Sequence, residues 1–126
     1  MIKRRLMIVD DDVELRDLLR DELAGTKEFT VLEAGSIAEA REKIAAGPLD
    51  LVLLDVGLPD MDGREGLKLL RSEGVRARVI MLTGQDSETD EITGLESGAI
   101  DYVTKPFRFS VLLARIRVAL RQHDQS

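Results

Sequence analysis

Cysteine is absent from the chain, which removes a disulfide scaffold, a thiolate metal site and cysteine-based nucleophilic catalysis together. Histidine occurs once, at His123 near the C-terminal end, where a solvated tail residue is expected rather than a ligand or a catalytic base. Tryptophan is missing and aromatic residues make up only 3% of the 126 positions, so a core has to be aliphatic and the single tyrosine, Tyr102, stands out. Long apolar runs are missing as well. The basic start, Met1-Ile2-Lys3-Arg4-Arg5, leads into only Leu6-Met7-Ile8-Val9 before three aspartates, so neither a secretion signal nor a membrane span is expected, and a cytoplasmic location is. Positive charge is the minority sign: 18 Lys and Arg against 24 Asp and Glu leave a net charge of -6. Such a chain is repelled by nucleic acid and by anionic membranes, which argues against direct DNA binding. What remains is 44% hydrophobic and 33% charged, enough for one globular domain with one core and too short for two of ordinary size.

The apolar residues alternate between two patterns. Leu6 to Val9 is a short unbroken run, and the stretch from Val13 to Leu23 then places Leu15, Leu18, Leu19 and Leu23 at helical spacing. Gly25 is expected to end that helix, and Phe29-Thr30-Val31-Leu32 suits a second strand. Ser36-Ile37-Ala38-Glu39 has the form of a capping box at the start of a helix running to about Ala46, before Gly47-Pro48. Leu51-Val52-Leu53-Leu54 is the most apolar run, as expected of a central strand covered on both faces, and it ends at Asp55. A loop through Gly63, a helix with Leu67, Leu69 and Leu70, and a strand Val79-Ile80-Met81-Leu82 ending at Thr83 follow. Asp86 to Glu96 predicts a weaker fourth helix, diluted by Ser87, Thr89, Thr93 and Gly94 and expected to be the least rigid element. Asp101-Tyr102-Val103 predicts a short fifth strand ending at Thr104-Lys105-Pro106, and Phe109, Leu112, Leu113, Ile116 and Leu120 mark an amphipathic last helix. Five strand-helix units predict an α/β fold, a doubly wound five-stranded parallel sheet with right-handed connections.

In such a sheet, residues just past the strands share one edge, where ligands bind near the reversal in strand order. The strand ends here are Asp10-Asp11, Asp55, Thr83 and Lys105. Carboxylates crowded into a partly dry crevice repel one another, so a positive group belongs among them. With oxygen as the only donor type, a hard cation is favoured, and few protein ligands with room for waters suit Mg2+ better than Ca2+. Asp12 reads instead as a helix cap. A carboxylate can attack phosphorus once cations neutralise the incoming charge, which makes Asp55 the natural nucleophile, Lys105 a phosphoryl partner and the Thr83 hydroxyl a hydrogen-bond donor.

These residues resemble the receiver domains of bacterial response regulators, which have the flavodoxin/CheY-like fold. The resemblance rests on four ordered motifs spanning nearly the whole chain: Asp10-Asp11; Asp55 followed by Leu58-Pro59-Asp60-Met61-Asp62-Gly63; Leu82-Thr83-Gly84; and Asp101-Tyr102-Val103-Thr104-Lys105-Pro106-Phe107. It implies strand order 2-1-3-4-5 with five helices, a phosphoacceptor at Asp55 and a phosphate-binding Lys105. It further implies Mg2+ held by Asp11, Asp55 and the Gly57 carbonyl, with Asp10 acting through water, and a cis peptide between Lys105 and Pro106. Thr83 and Tyr102 are the implied switch pair, remodelling the face formed by the fourth helix, fifth strand and fifth helix. The implied role is a phosphorylation-dependent switch, charged by a sensor histidine kinase or a small phosphodonor, that controls an output such as transcription. Leu112-Leu113-Ala114-Arg115-Ile116-Arg117 looks like the OmpR/PhoB-type branch, whose receivers usually precede a winged-helix domain, so DNA would be reached only through an effector domain that this sequence lacks. The expected receiver covers residues 1–122, with 123–126 a polar tail or the start of a linker.

The sequence departs from that branch on its output face. Receivers of this kind usually dimerise there through charge pairs, and Asp101 and Arg115 are retained. Ile100, Gln122, Val111 and Thr93 stand where charged residues are usual, and Val111 and Val118 lie on the side of the last helix away from Leu112, Ile116 and Leu120. An apolar pairing or a different partner is therefore expected for this face. Gly57 and Gln85 stand where the hydrolytic water is positioned or blocked, and leave the acyl phosphate lifetime open. A phosphohydrolase with an aspartyl nucleophile would need a carboxylate two places after Asp55, where Gly57 stands. A module that keeps the fold without the chemistry would not need the full acceptor set, and no Gly-rich Lys-Ser/Thr loop follows the first strand to bind a nucleotide.

Overall fold

The computed structural model describes residues 2–84 and 98–125. Its strands are Arg4–Val9 (β1), Phe29–Ala34 (β2), Leu51–Asp55 (β3), Arg78–Thr83 (β4) and Asp101–Thr104 (β5). Its helices are Val13–Gly25 (α1), Ile37–Ile44 (α2), Gly63–Ser72 (α3) and a C-terminal helix, Phe109–Gln125. The helix expected over Asp86 to Glu96, with Gln85 and Thr93, lies outside the described residues. All strand pairs are parallel and the sheet order is β2-β1-β3-β4-β5, as expected. The chain runs outward from β1 to β2, then crosses back to β3 on the other side of β1. That reversal opens a crevice beyond the ends of β1 and β3.

The period-two geometry of a strand divides the apolar runs between two layers. Leu6, Ile8, Leu51, Leu53, Ile80 and Leu82 face one side and pack with Leu19 and Leu23 of α1 and Leu112 and Ile116 of the C-terminal helix. Met7, Val9, Val52, Leu54, Val79 and Met81 face the other and pack with Ile37 and Ala40 of α2 and Leu67 of α3. Both faces of the central strands are covered, which is why those strands read as unbroken apolar runs rather than alternating ones. Each fully buried aliphatic side chain contributes about 1.5–3 kcal/mol.

Local departures from the sequence reading have plain causes. β1 starts at Arg4, ahead of its apolar run, because backbone pairing carries it there: the Arg4 amide donates to the Glu28 carbonyl at 3.1 Å. α1 does not end in a glycine turn. Gly25 stays helical, Thr26 caps the end, and Lys27 takes the left-handed conformation at φ 62°. α2 stops at Ile44, two residues before Ala46.

Candidate functional site

The helices that begin beside the crevice are each opened by a side chain from the sequence just before them. Asp12 accepts from the Leu15 amide at 3.1 Å and caps α1, the role expected of it. Ser36 accepts from the Glu39 amide at 3.1 Å at the start of α2, but the Glu39 carboxylate reaches past Ser36 to the Gly35 amide, 3.1 Å away. The box is therefore closed one residue earlier than the pattern predicts. Asp62 caps α3 through the Arg64 amide at 2.8 Å and forms an ion pair with the Arg64 guanidinium at 2.7 Å.

Past the last apolar residues of β1 and β3 stand Asp10 and Asp55, 0% and 6% exposed, and Asp11 lies exposed beside them. One carboxylate oxygen from each of the three lies within 4.8 Å of the others. Lys105, following β5, crosses to this cluster: its Nζ is 2.8 Å from Asp10 Oδ2 and 3.1 Å from Asp55 Oδ1. The sequence-predicted cluster is thus one pocket. Three carboxylates against one ammonium leave two formal negative charges, in an all-oxygen donor set with one carboxylate open to solvent. That is the chemistry of a hard divalent cation with several waters, and the residues fit Mg2+.

The electrostatics carry the mark of this crowding. Burial, then the neighbouring charge of Asp10, push the Asp55 carboxyl above its ordinary range, and Lys105 only partly offsets them. Burial acts to lower Lys105, but the hydrogen bond and charge of Asp10 and the charge of Asp55 outweigh it and hold the ammonium above its ordinary value. Lys105 is therefore a fixed cation.

Backbone packing sets how Asp55 is presented. The Gly63 amide donates to the Val56 carbonyl at 2.8 Å, and a Cβ on Gly63 would fall 2.1 Å from the Asp55 carbonyl oxygen, so no other residue fits without moving the backbone. Gly57 leaves room at the carboxylate: a Cβ there would lie 3.7 Å from Asp55 Oδ2, the oxygen that Lys105 does not hold. Thr83 is 2% exposed at the end of β4, and its carbonyl accepts from the Lys105 amide. The Lys105–Pro106 peptide is cis. Tyr102 is half-buried on β5, and its hydroxyl, enclosed, has no hydrogen-bond partner among the described residues.

On the output face, Val111 and Val118 are 45% and 43% exposed while Leu112 and Ile116 are fully covered. Asp101 and Arg115 pair with each other within the chain at 2.9 Å. Ile100 is turned partly into the core instead of standing clear of the surface. The side chain of Gln122 lies outside the described residues, whereas the helix itself continues through Gln125. Among the described residues no helix is long and apolar enough to cross a membrane.

Four contacts at the site were not legible from residue patterns. Arg16 donates to the Asp10 carbonyl, Glu33 pairs with Arg16, and Asp60 accepts from the Ile37 and Ala38 amides at 3.1 and 2.9 Å. Asp60 lies 23 and 22 residues from those partners, so no local spacing points to it. For Arg16, its place one turn after Asp12 on the same helix was the available signal.

Comparison with known proteins agrees with this geometry. The model of the response regulator receiver domain matches residues 6–117. The chain is 44% identical over 123 residues to the uncharacterized transcriptional regulatory protein YkoG of Bacillus subtilis, covering 98% of this chain and 54% of that protein. It is 40% identical to the regulatory protein VanR of Enterococcus faecium, over 96% of this chain and 52% of VanR. The chain therefore spans about half the length of the curated relatives it matches. Among solved structures, the BeF3-activated N-terminal receiver domain of Klebsiella pneumoniae RstA superposes with a TM-score of 0.86 at 37% identity, covering 94% of this chain and 99% of that one. A Francisella response regulator receiver domain gives 0.89 at 28% identity, covering 96% and 99%. A pocket of three carboxylates and one lysine, raised at the reversal point of a 2-1-3-4-5 sheet and matched by a family model from Leu6 to Arg117, places the chain in the response regulator receiver family, the phosphorylation-controlled switches of two-component signalling.

Proposed function

We propose that Asp55 is the phosphoacceptor of this receiver, and that the domain catalyses its own phosphorylation and dephosphorylation. The observation that carries the reading is the pair of Lys105 contacts, 2.8 Å to Asp10 and 3.1 Å to Asp55, which ties a cation to the carboxylate that would be modified. Asp11, Asp55 and the Gly57 carbonyl would hold Mg2+, with Asp10 acting through water. Bound there, Mg2+ supplies charge that screens the phosphoryl oxygens. An Asp55 oxygen attacks the phosphorus of a phosphohistidine on a sensor kinase, or of a small phosphodonor. The P–O bond forms as the bond to the leaving group breaks, and the leaving imidazole or carboxylate departs with the electron pair. Lys105 then follows the charge onto the new phosphoryl oxygens. Thr83, at the adjacent strand end, donates its hydroxyl to them and forms the switch pair with Tyr102. No separate base is needed, because an ionised carboxylate has no proton to give up, and Lys105 beside Asp55 favours that form.

The domain so proposed covers residues 1–122 and works in the cytoplasm. Its output, transcription in the reading favoured by its relatives, is delivered through an effector domain that carries the DNA contacts. Val111 and Val118, exposed beside the Asp101–Arg115 pair, support a homodimer closed by apolar contact where charge pairs are usual.

Incubation with MgCl2 and acetyl phosphate should add one phosphoryl group to the intact mass of the wild-type chain and none to Asp55→Ala. Continuous release of phosphate from assorted esters would favour a hydrolase instead. Val118→Glu should abolish dimerisation of the phosphorylated domain in light scattering, and an unchanged mass would defeat the apolar interface.

A further inference from the structure

Asp10 is gripped on every side. Its amide donates to the Ala34 carbonyl at 3.0 Å, its Oδ1 accepts from the Asp12 amide at 2.9 Å, and its Oδ2 takes Lys105. The remaining polar atom, its backbone carbonyl, accepts from Arg16 Nη1 at 2.8 Å. That carbonyl belongs to the same planar peptide as the amide of Asp11. Fixing its direction therefore fixes where the Asp11 Cα, and so its carboxylate, can stand. Asp11 itself is exposed, so the peptide behind it matters more to its aim than packing does.

Arg16 is well placed for this task. Its side chain is only 18% exposed, and its Nε donates to Glu33 Oε1 at 3.2 Å, so the guanidinium plane is held from behind by β2. Glu33 is in turn paired with Arg20 at 3.2 Å, and its carbonyl accepts from Lys43. The fork of an arginine can serve two acceptors at once in a way that a lysine cannot. The loop leaves space for it: a Cβ on Gly35 would fall 3.1 Å from Arg16 Nη1. Glu33 also has an electrostatic part. A bare guanidinium this near the pocket would oppose a divalent cation, and the ion pair cancels much of its field.

We infer that Arg16 is a positioning residue for the metal: backed by Glu33, it orients the Asp10–Asp11 peptide so that the Asp11 carboxylate is aimed at the cation. The inference rests on the reading of the pocket as a Mg2+ site. Partners of this indirect kind typically change metal affinity by about 10–100-fold when removed.

The test is the Mg2+ dissociation constant, read from amide chemical shifts during titration with MgCl2, together with thermal unfolding in EDTA. Arg16→Ala should weaken Mg2+ binding about tenfold, and Arg16→Lys should recover part of that loss. Arg20→Ala is the control, because it loses a contact to the same Glu33 carboxylate without touching Asp10. It should bind Mg2+ within about twofold of wild type. Gly35→Ala, which crowds the guanidinium and leaves Arg16 in place, should weaken binding less than Arg16→Ala does. Equal affinity in wild type and Arg16→Ala would overturn the inference, as would an equal loss in Arg20→Ala, which would mark a general structural effect. Absence of Mg2+ binding by the wild type would instead defeat the metal reading on which it stands.

Discussion

Leu54 and Asp55 are adjacent residues of β3, 0% and 6% exposed, and their surroundings are opposite in kind. Leu54 is enclosed by Met7, Val9, Val79 and Met81 of neighbouring strands and by the α2 and α3 layer, where burial itself is the source of stability. One residue further along, the sheet buries carboxylates that repel each other, and the Asp55 carboxyl is displaced above its ordinary pKa for that reason. The same topology thus makes a stabilising interior and, at its rim, a pocket held in electrostatic tension. Stability and chemistry are separated by a single step along the chain.

Substitutions on the two sides of that step should have effects of opposite sign. The largest is expected in the interior: Leu53→Ala, at a fully covered position, should cost about 2–5 kcal/mol and lower the unfolding temperature on the order of 10 °C, with or without Mg2+. At the rim, Asp55→Asn should raise stability in EDTA on the order of 1 kcal/mol, because it removes a buried charge faced by Asp10. MgCl2 should reverse this ranking, stabilising the wild type and leaving Asp55→Asn nearly unchanged. A loss of stability in metal-free Asp55→Asn would erase the contrast between rim and interior.

Acid titration sharpens the comparison further. Folding raises the Asp55 pKa, so its ionisation opposes folding from the ordinary aspartate range upward through the folded value, and that penalty is absent at lower pH. Asp60 has the opposite sign. The Ala38 amide, against a small burial cost, and the Ile37 amide hold its carboxyl below the ordinary range, so its stabilisation is present above that range and disappears as pH falls through the folded value. The smallest expected effect is therefore Asp60→Asn, roughly a few tenths of a kcal/mol less stable at neutral pH because the carboxylate is exposed and asparagine keeps one acceptor oxygen, with the difference from wild type closing under acid. A constant gap across an acid-unfolding series would show that the carboxylate charge is not what holds the cap.

The parallel sheet and the carboxylates of the pocket were legible because β1 and β3 read as unbroken apolar runs that end at Asp10 and Asp55, whereas the strand order 2-1-3-4-5 was implied by the resemblance of the motifs to receiver domains. Asp10, Asp55 and Lys105 converge because parallel strands share an edge, and that inference needs no side-chain detail. What was not legible depends on contacts between distant segments. The register Arg4↔Phe29 lengthens β1 beyond its hydrophobic residues. The left-handed turn falls on Lys27 although Gly25 stands two residues before it, because the helix runs through Gly25 and is capped by Thr26. Arg16 and Asp60 act through backbone groups of other elements, and backbone groups leave no mark in a sequence pattern.

The opening turn of α2 answers to two parts of the chain. Ser36 supplies the Glu39 amide from within the helix's own approach, whereas Ile37 and Ala38 depend on a carboxylate lent by the loop that follows β3. Any rearrangement that withdraws Asp60 leaves two amide protons facing water, so deuterium uptake at Ile37 and Ala38 serves as a gauge of that loop, read on a helix with no part in the chemistry.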